Sequence, residues 1–211
     1  MQDAGIAASA VDLPGTDFDA DVAQVRSTLD AIDGDAVLLG HSYGGAVVTE
    51  AGAHVSVRHL VFLCAFAIND KESCMNAASE EPDVASISHQ GRPDLGAAVV
   101  DHGDGTSTLT REGARACLYS DVDDVTFERA YAQLRAQRND SLNASPKEVA
   151  WRTTPSTYVV CSEDQGVHPD LQRIMARRCT ATIEWPTGHS PFANRPDLVA
   201  DLLINLALRT A

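Results

Sequence analysis

Apolar residues along this chain alternate between helical spacing and short uninterrupted runs. Phe18, Val22, Val25, Leu29 and Ile32 recur at steps of four and three. Thr16 or Asp17 stands where a helix cap belongs and Gly34 where a left-handed C-cap belongs, which predicts an amphipathic helix between them. Ahead of it, Ile6–Leu13 reads as a short strand stopped by the turn signal Pro14-Gly15. Behind it, Ala36–Leu39 reads as a buried strand, Gly45 to about His54 as a helix, and His59–Cys64 as another strand. From Asn69 to about Pro155 the pattern loosens into polar turns such as Asp101–Gly105, with helical pieces near Arg111–Tyr119 and Asp124–Gln137. Regular alternation then returns as strand Thr157–Cys161, helix Pro169–Arg178, strand Ala181–Trp185 and a last helix whose Leu198, Val199, Leu202, Leu203 and Leu206 share a face.

Strands alternating with helices predict an α/β fold, a mostly parallel sheet covered by helices on both faces. Residues 1–68 and 156–211 are read as its core, and 69–155 as an inserted cap. No repeat, linker or low-complexity segment interrupts this order.

Composition narrows the function classes. With 211 residues, of which 44% are hydrophobic, the chain can bury the core of one domain. A formal net charge of −14 offers no basic patch for a polyanion, so nucleic acid is excluded as a partner. The five cysteines are scattered without a C-x-x-C pair, suggesting neither a disulfide framework nor a zinc site and favouring a reducing compartment. The longest apolar run, Leu60–Ile68, is too short to cross a bilayer, and residues 1–15 lack the features of a signal peptide. These features lead us to expect a cytoplasmic protein with no membrane partner.

The most informative stretch is Gly40-His41-Ser42-Tyr43-Gly44-Gly45, a G-x-S-x-G motif between a predicted strand and a predicted helix. A tight strand-to-helix turn forces such a serine into a strained conformation, and small neighbours keep it free of clashes. The helix that follows aims backbone N–H groups at the reacting centre, and the Tyr43 amide is placed to donate to a developing oxyanion. Ser42 is therefore the candidate nucleophile.

A serine hydroxyl needs a base, and a histidine base needs a carboxylate to fix its tautomer. Of seven histidines, His41 lies inside the turn and is read as directed elsewhere, while His54, His59, His89 and His102 fall on a helix end, a strand start or the cap. His168 is a more distant alternative. His189 is preferred because its loop, Pro186–Pro191, directly follows the last strand, and sites in parallel sheets gather at the carboxyl ends of strands. Asp164, also just past a strand, is the preferred acid, with Glu163 the near competitor and Asp70 a weaker one. The chain order Ser42, Asp164, His189 is the one that α/β-hydrolases use.

On these motifs the chain resembles an α/β-hydrolase of the small esterase and hydroxynitrile lyase group, which includes plant methyl-ester esterases and many bacterial relatives. Val11–Gly15, Gly40–Gly45, Val61–Phe66, Tyr158–Asp164 and Gly188–Ser190 carry the likeness. The resemblance implies a Ser42–His189–Asp164 triad, a cap that shapes an apolar acyl or alcohol pocket, and no cofactor or metal. The lyases place a lysine directly after the catalytic histidine, whereas Ser190 stands here, which favours an esterase.

Family members open with a strand and a His-Gly loop that supplies a second oxyanion donor, and neither precedes Met1. By the family's strand order the strand would lie between Ile6–Leu13 and Ala36–Leu39. The expectation is an N-terminally truncated chain that folds poorly and hydrolyses weakly alone, since losing one such donor costs about 100- to 1000-fold in turnover. A neighbouring copy that lends a strand would make it a homodimer. The leading expectation is a serine carboxylester hydrolase acting on a small ester. A ligand-binding homologue without catalysis, and a hydroxynitrile lyase, are the alternatives.

Overall fold

The computed structural model of the chain describes residues 5–210. In chain order the strands are β1 (Ala36–His41), β2 (Val57–Leu63), β3 (Val99–Asp101), β4 (Thr106–Leu109), β5 (Gln137–Arg138), β6 (Ser156–Cys161) and β7 (Ala181–Trp185). The α-helices are α1 (Phe18–Asp30), α2 (Gly44–Ala51), α3 (Arg111–Cys117), α4 (Asp124–Tyr131), α5 (Pro169–Ala176), α6 (Pro191–Asn194) and α7 (Pro196–Thr210).

The main sheet is parallel throughout, in the order β1-β2-β6-β7. Its middle strands are uninterrupted apolar runs, and Val61, Phe62, Tyr158, Val159 and Val160 are all fully buried, as a sheet covered on both faces requires. One face is packed by α1, α2 and α5, through Phe18, Val22 and Val25, Val47 and Val48, and Ile174 and Met175. On the other face α7 lays Leu198, Val199, Leu202, Leu203 and Leu206 over Val61, Leu63, Val159 and Trp185. The doubly covered parallel sheet expected from the sequence is therefore present.

Between β2 and β6 the chain builds a small antiparallel sheet, β3-β4-β5, together with α3 and α4. These carry a separate apolar cluster around Ala114, Tyr119, Val122 and Phe127. Among the described residues no helix is long and apolar enough to cross a membrane.

Three local expectations are corrected. Ile6–Leu13 forms no strand: Val11 and Leu13 lean on the core and Arg135 holds Asp12 and the Leu13 carbonyl, but the segment joins no sheet, and among the described residues the outer edge of β1 has no strand partner. Its Ala-Ala-Ser-Ala centre offers little side chain to bury, and a strand without a ladder is not stable on its own. The helical piece near Asp124–Gln137 ends at Tyr131, and Gln137, in β5, pairs with Ser107 of β4, while Arg138 is held by Asp140. Asp17, one of the two expected caps, caps α1 by accepting the Ala20 N–H at 2.7 Å, but the helix stops short of Gly34: Ala31 is its C-cap, and Ile32, beyond the helix, is exposed.

Candidate active site

The carboxyl ends of the four parallel strands define one edge, since His41 pairs with Leu63, Leu63 with Val159 and Cys161 with Trp185. Ser42 follows β1 directly, Asp164 lies three residues past β6, and His189 lies four past β7.

Ser42 has φ +51°, in the left-handed region that a residue with a Cβ seldom occupies. Its carbonyl accepts from Gly45 N–H at 2.9 Å and Phe66 N–H at 3.1 Å, so the turn is held from two sides. The close approach explains two of the glycines. A Cβ on Gly40 would stand 2.5 Å from the Gly44 oxygen, and one on Gly45 would stand 2.7 Å from both Ala65 Cβ and Phe66 N. Gly44 is different: a Cβ there meets nothing within 4 Å, so space does not demand that glycine.

Ser42 is half-exposed, and its Oγ has no hydrogen-bond partner among the described residues. The Tyr43 N–H, at the mouth of α2, is also left without an acceptor among them, as expected for the first amides of a helix. The Tyr43 side chain is anchored away from this point. Its hydroxyl donates to Asp21 Oδ2 at 2.8 Å, and burial together with Asp21 raises the phenol above its ordinary range, so it stays a donor.

Asp164 and His189 meet. His189 Nδ1 lies 2.8 Å from Asp164 Oδ2, and both side chains are essentially buried. Asp164 is fully satisfied: Oδ1 accepts from Gly166 N–H at 2.7 Å and Val167 N–H at 3.0 Å, and Oδ2 also accepts from Gln172 Nε2 at 2.7 Å. A carboxylate so held has one orientation, and it presents a proton acceptor to Nδ1. That leaves the Nε2 side of the imidazole to act on a substrate or a serine. Gly166 lies flat against the ring, where a Cβ would come within 3.2 Å of His189 Cγ and Nδ1.

The competitors lie elsewhere. Glu163 turns its side chain to solvent while its N–H donates to Thr187 O. Asp70 is ion-paired with Arg152. His54 contacts Asp30 and Ser56, His59 contacts Thr157, His102 contacts Thr108, and His89 stacks edge-on against His168. No hydrogen bond joins Ser42 Oγ to His189, although the two belong to one cluster of loops. Apo geometry is often looser than the reacting complex.

Four supporting residues escape the sequence reading. Gln172 is a buried polar residue on the apolar face of α5, a signal that was available. Asp121, from the segment between α3 and α4, accepts from Gly188 N–H at 2.6 Å and from Asn194 Nδ2 at 3.1 Å, so this segment grips the histidine loop. Its Oδ1 is buried without a partner. Arg92, from the segment between β2 and β3, donates to the Asp164 carbonyl. His41 is the fourth: its ring serves a loop and not the nucleophile, with Nε2 2.7 Å from the His189 carbonyl oxygen. Burial, and then the neighbouring His189, lower the His41 pKa from 6.5 to about 3, so the ring is neutral.

His41, Cys64 and His189 also place ligand-type atoms within 4.8 Å of one another. A zinc-like ion would need a thiolate there, whereas burial pushes the Cys64 thiol well above its usual range and its Sγ donates to the same His189 carbonyl at 3.2 Å. The donor set therefore fits a hydrogen-bonded clasp better than a cation site.

Comparison with known proteins agrees with this architecture. Residues 2–202 match the description "Alpha/beta hydrolase family". The alpha/beta hydrolase nvfD of Aspergillus novofumigatus (strain IBT 16806) is 28% identical over 188 residues, covering 82% of this chain and 70% of its own. Among solved structures, polyneuridine aldehyde esterase superposes with a TM-score of 0.72 at 17% identity, over 90% of this chain and 80% of that one. A pyrethroid hydrolase from Sphingobium faniae JZ-2 superposes with a TM-score of 0.73 at 21% identity, over 91% and 78%. At such identities the likeness speaks for the fold. The match along nearly the whole sequence, together with the doubly covered parallel sheet, places this chain in the alpha/beta hydrolase family.

Proposed function

We propose that the chain is a serine carboxylester hydrolase acting on a small ester, with Ser42 as nucleophile, His189 as general base and acid, and Asp164 as the residue that orients His189. The observation that carries the reading is the buried 2.8 Å contact between Asp164 Oδ2 and His189 Nδ1, on loops that share a sheet edge with a serine strained at φ +51°. Residues 69–155 serve in this reading as a cap over the site.

In this mechanism His189 Nε2 takes the Ser42 hydroxyl proton as Oγ bonds to the ester carbonyl carbon. The Tyr43 N–H donates to the oxyanion that forms. As the carbon–oxygen bond to the leaving alkoxide breaks, His189 returns the proton to it, leaving an acyl-Ser42 ester. Water then attacks that ester, giving its proton to His189, and the acid departs as Ser42 Oγ recovers a proton. Asp164 keeps its charge throughout and stabilises the transient imidazolium.

The test is hydrolysis of p-nitrophenyl esters of increasing acyl length by the parent and by Ser42→Ala. The reading predicts turnover by the parent, a burst from acyl-enzyme build-up, and background rates in the variant. Equal rates in the two proteins would overturn it.

A further inference from the structure

The main-chain carbonyl of His189 accepts two donors, both from strand ends of the rigid sheet. His41 Nε2, at the last residue of β1, lies 2.7 Å away, and Cys64 Sγ, just past β2, lies 3.2 Å away. The acceptor is a carbonyl, so Nε2 must carry the hydrogen and the tautomer of His41 is fixed. The ring is located by more than this bond. Its centroid lies 4.7 Å from that of His189, and 4.9 Å from Phe192, which meets it edge-on at 85°. Cys64 has φ +38°, so β2 ends in a left-handed residue that brings the thiol under the loop.

From this geometry we infer that His41, assisted by Cys64, is a positioning residue for His189: it ties the histidine's backbone to the sheet, fixing the reach of the imidazole toward Ser42. For its catalytic consequence this rests on the serine-hydrolase reading above. Asp164 fixes the direction in which the ring points, and Asp121 holds the preceding residue through Gly188. Neither of these fixes how far the backbone of residue 189 stands from β1, and the two donors on its carbonyl do.

The clasp is also electrically silent. Neutral His41 adds no charge beside an imidazole that must itself become cationic when it takes the Ser42 proton. The protonated Cys64 thiol is equally uncharged. A lysine or arginine could hold the same carbonyl, but its charge would oppose the imidazolium. The neutral donor pair avoids that repulsion.

His41→Gln keeps a neutral N–H donor near the position of Nε2, and His41→Phe keeps the ring packing but removes the donor. We expect His41→Phe to lower kcat, and the rate of fluorophosphonate labelling at Ser42, by roughly 10- to 100-fold with KM changed less than about twofold, as a small misplacement of a catalytic group does. His41→Gln should recover most of that loss, which a generally destabilised fold would not do. Independently of activity, NMR of isotope-labelled histidine should show the His189 ring resonances shifted or broadened in His41→Phe, less so in Cys64→Ala, and restored in His41→Gln. His41→Phe with parental kcat and an unmoved His189 signal would overturn the inference, as would His41→Gln being as impaired as His41→Phe. Failure of the parent itself to label would sink the serine-hydrolase reading instead, and the His189 resonances would still decide whether the clasp positions the loop.

Discussion

Gln172 holds Asp164 from below, its Nε2 donating to Oδ2 across 2.7 Å while its Oε1 accepts the Cys161 N–H at 2.9 Å and its second amide hydrogen goes to the Val167 carbonyl at 2.8 Å. One buried side chain therefore joins the end of β6, the Asp164 loop and α5. Asp164 keeps one lone pair of Oδ2 for His189 because its others are already occupied.

Gln172→Met, similar in shape but without the amide, should lose stability and activity together. Each buried group left unpaired costs about 1–3 kcal/mol, and Cys161 N–H and Val167 O would both be exposed to that loss. Urea denaturation should register it, and ester turnover should fall at least roughly 10-fold as Asp164 gains freedom. Unchanged turnover in a folded variant would contradict the role given to Gln172.

Two glycines of one turn should respond oppositely. Gly45→Ala forces a Cβ to within 2.7 Å of Ala65 Cβ and the Phe66 backbone, so thermal denaturation should show a loss of about 1–3 kcal/mol. Gly44→Ala meets open space in the first turn of α2 and should be neutral or gain about 0.5–1 kcal/mol.

Stability should depend on His41 in a defined pH window. Its pKa is lowered on folding from 6.5 to about 3, chiefly by burial, so between those values the unfolded chain holds a proton that the folded chain lacks. The contribution is complete above about pH 6.5 and lost as pH falls toward 3, at no more than about 1.4 kcal/mol per pH unit. Plotted from pH 6 to 4, the parent's unfolding free energy should fall more steeply than that of His41→Gln, by up to one proton. Parallel curves would show that His41 is not the group responsible.

Glu72 and Arg178 form a nearly buried pair, with contacts at 2.6 and 2.8 Å, and Arg178 also lies over the ring of Trp151. Burial alone would raise the Glu72 pKa, but Arg178 and backbone donors more than offset this and hold it below the usual carboxylate range. Arg178→Met strands the carboxylate and should cost about 3–5 kcal/mol, measured by denaturation, whereas the double change Glu72→Leu with Arg178→Met should recover part of that loss.

The sequence revealed whatever local rules govern. Val61–Leu63 and Tyr158–Val160 announce buried strands because nothing polar interrupts them, and Phe18–Leu29 announces a helix by its spacing. Asp164 and His189 draw attention because each follows such a strand. What stayed hidden depends on distant parts of the chain meeting. His41 and Cys64 lie more than a hundred residues from the His189 carbonyl they hold, and Asp121 reaches Gly188 from the other side of β6 and β7. Ile6–Leu13 reads as a strand on local composition, which does not reveal whether the segment will pair with a sheet. The end of α4 was overrun because Gln137–Arg138 is drawn off by cross-strand pairing.

The most direct test of the central claim is the intact mass of the protein after exposure to a fluorophosphonate, with Ser42→Ala alongside. The account predicts a single adduct on the parent, none on Ser42→Ala, and labelling of Asp164→Asn and His189→Ala slowed by orders of magnitude. A folded parent that takes no adduct, or one that labels equally in Ser42→Ala, would contradict it.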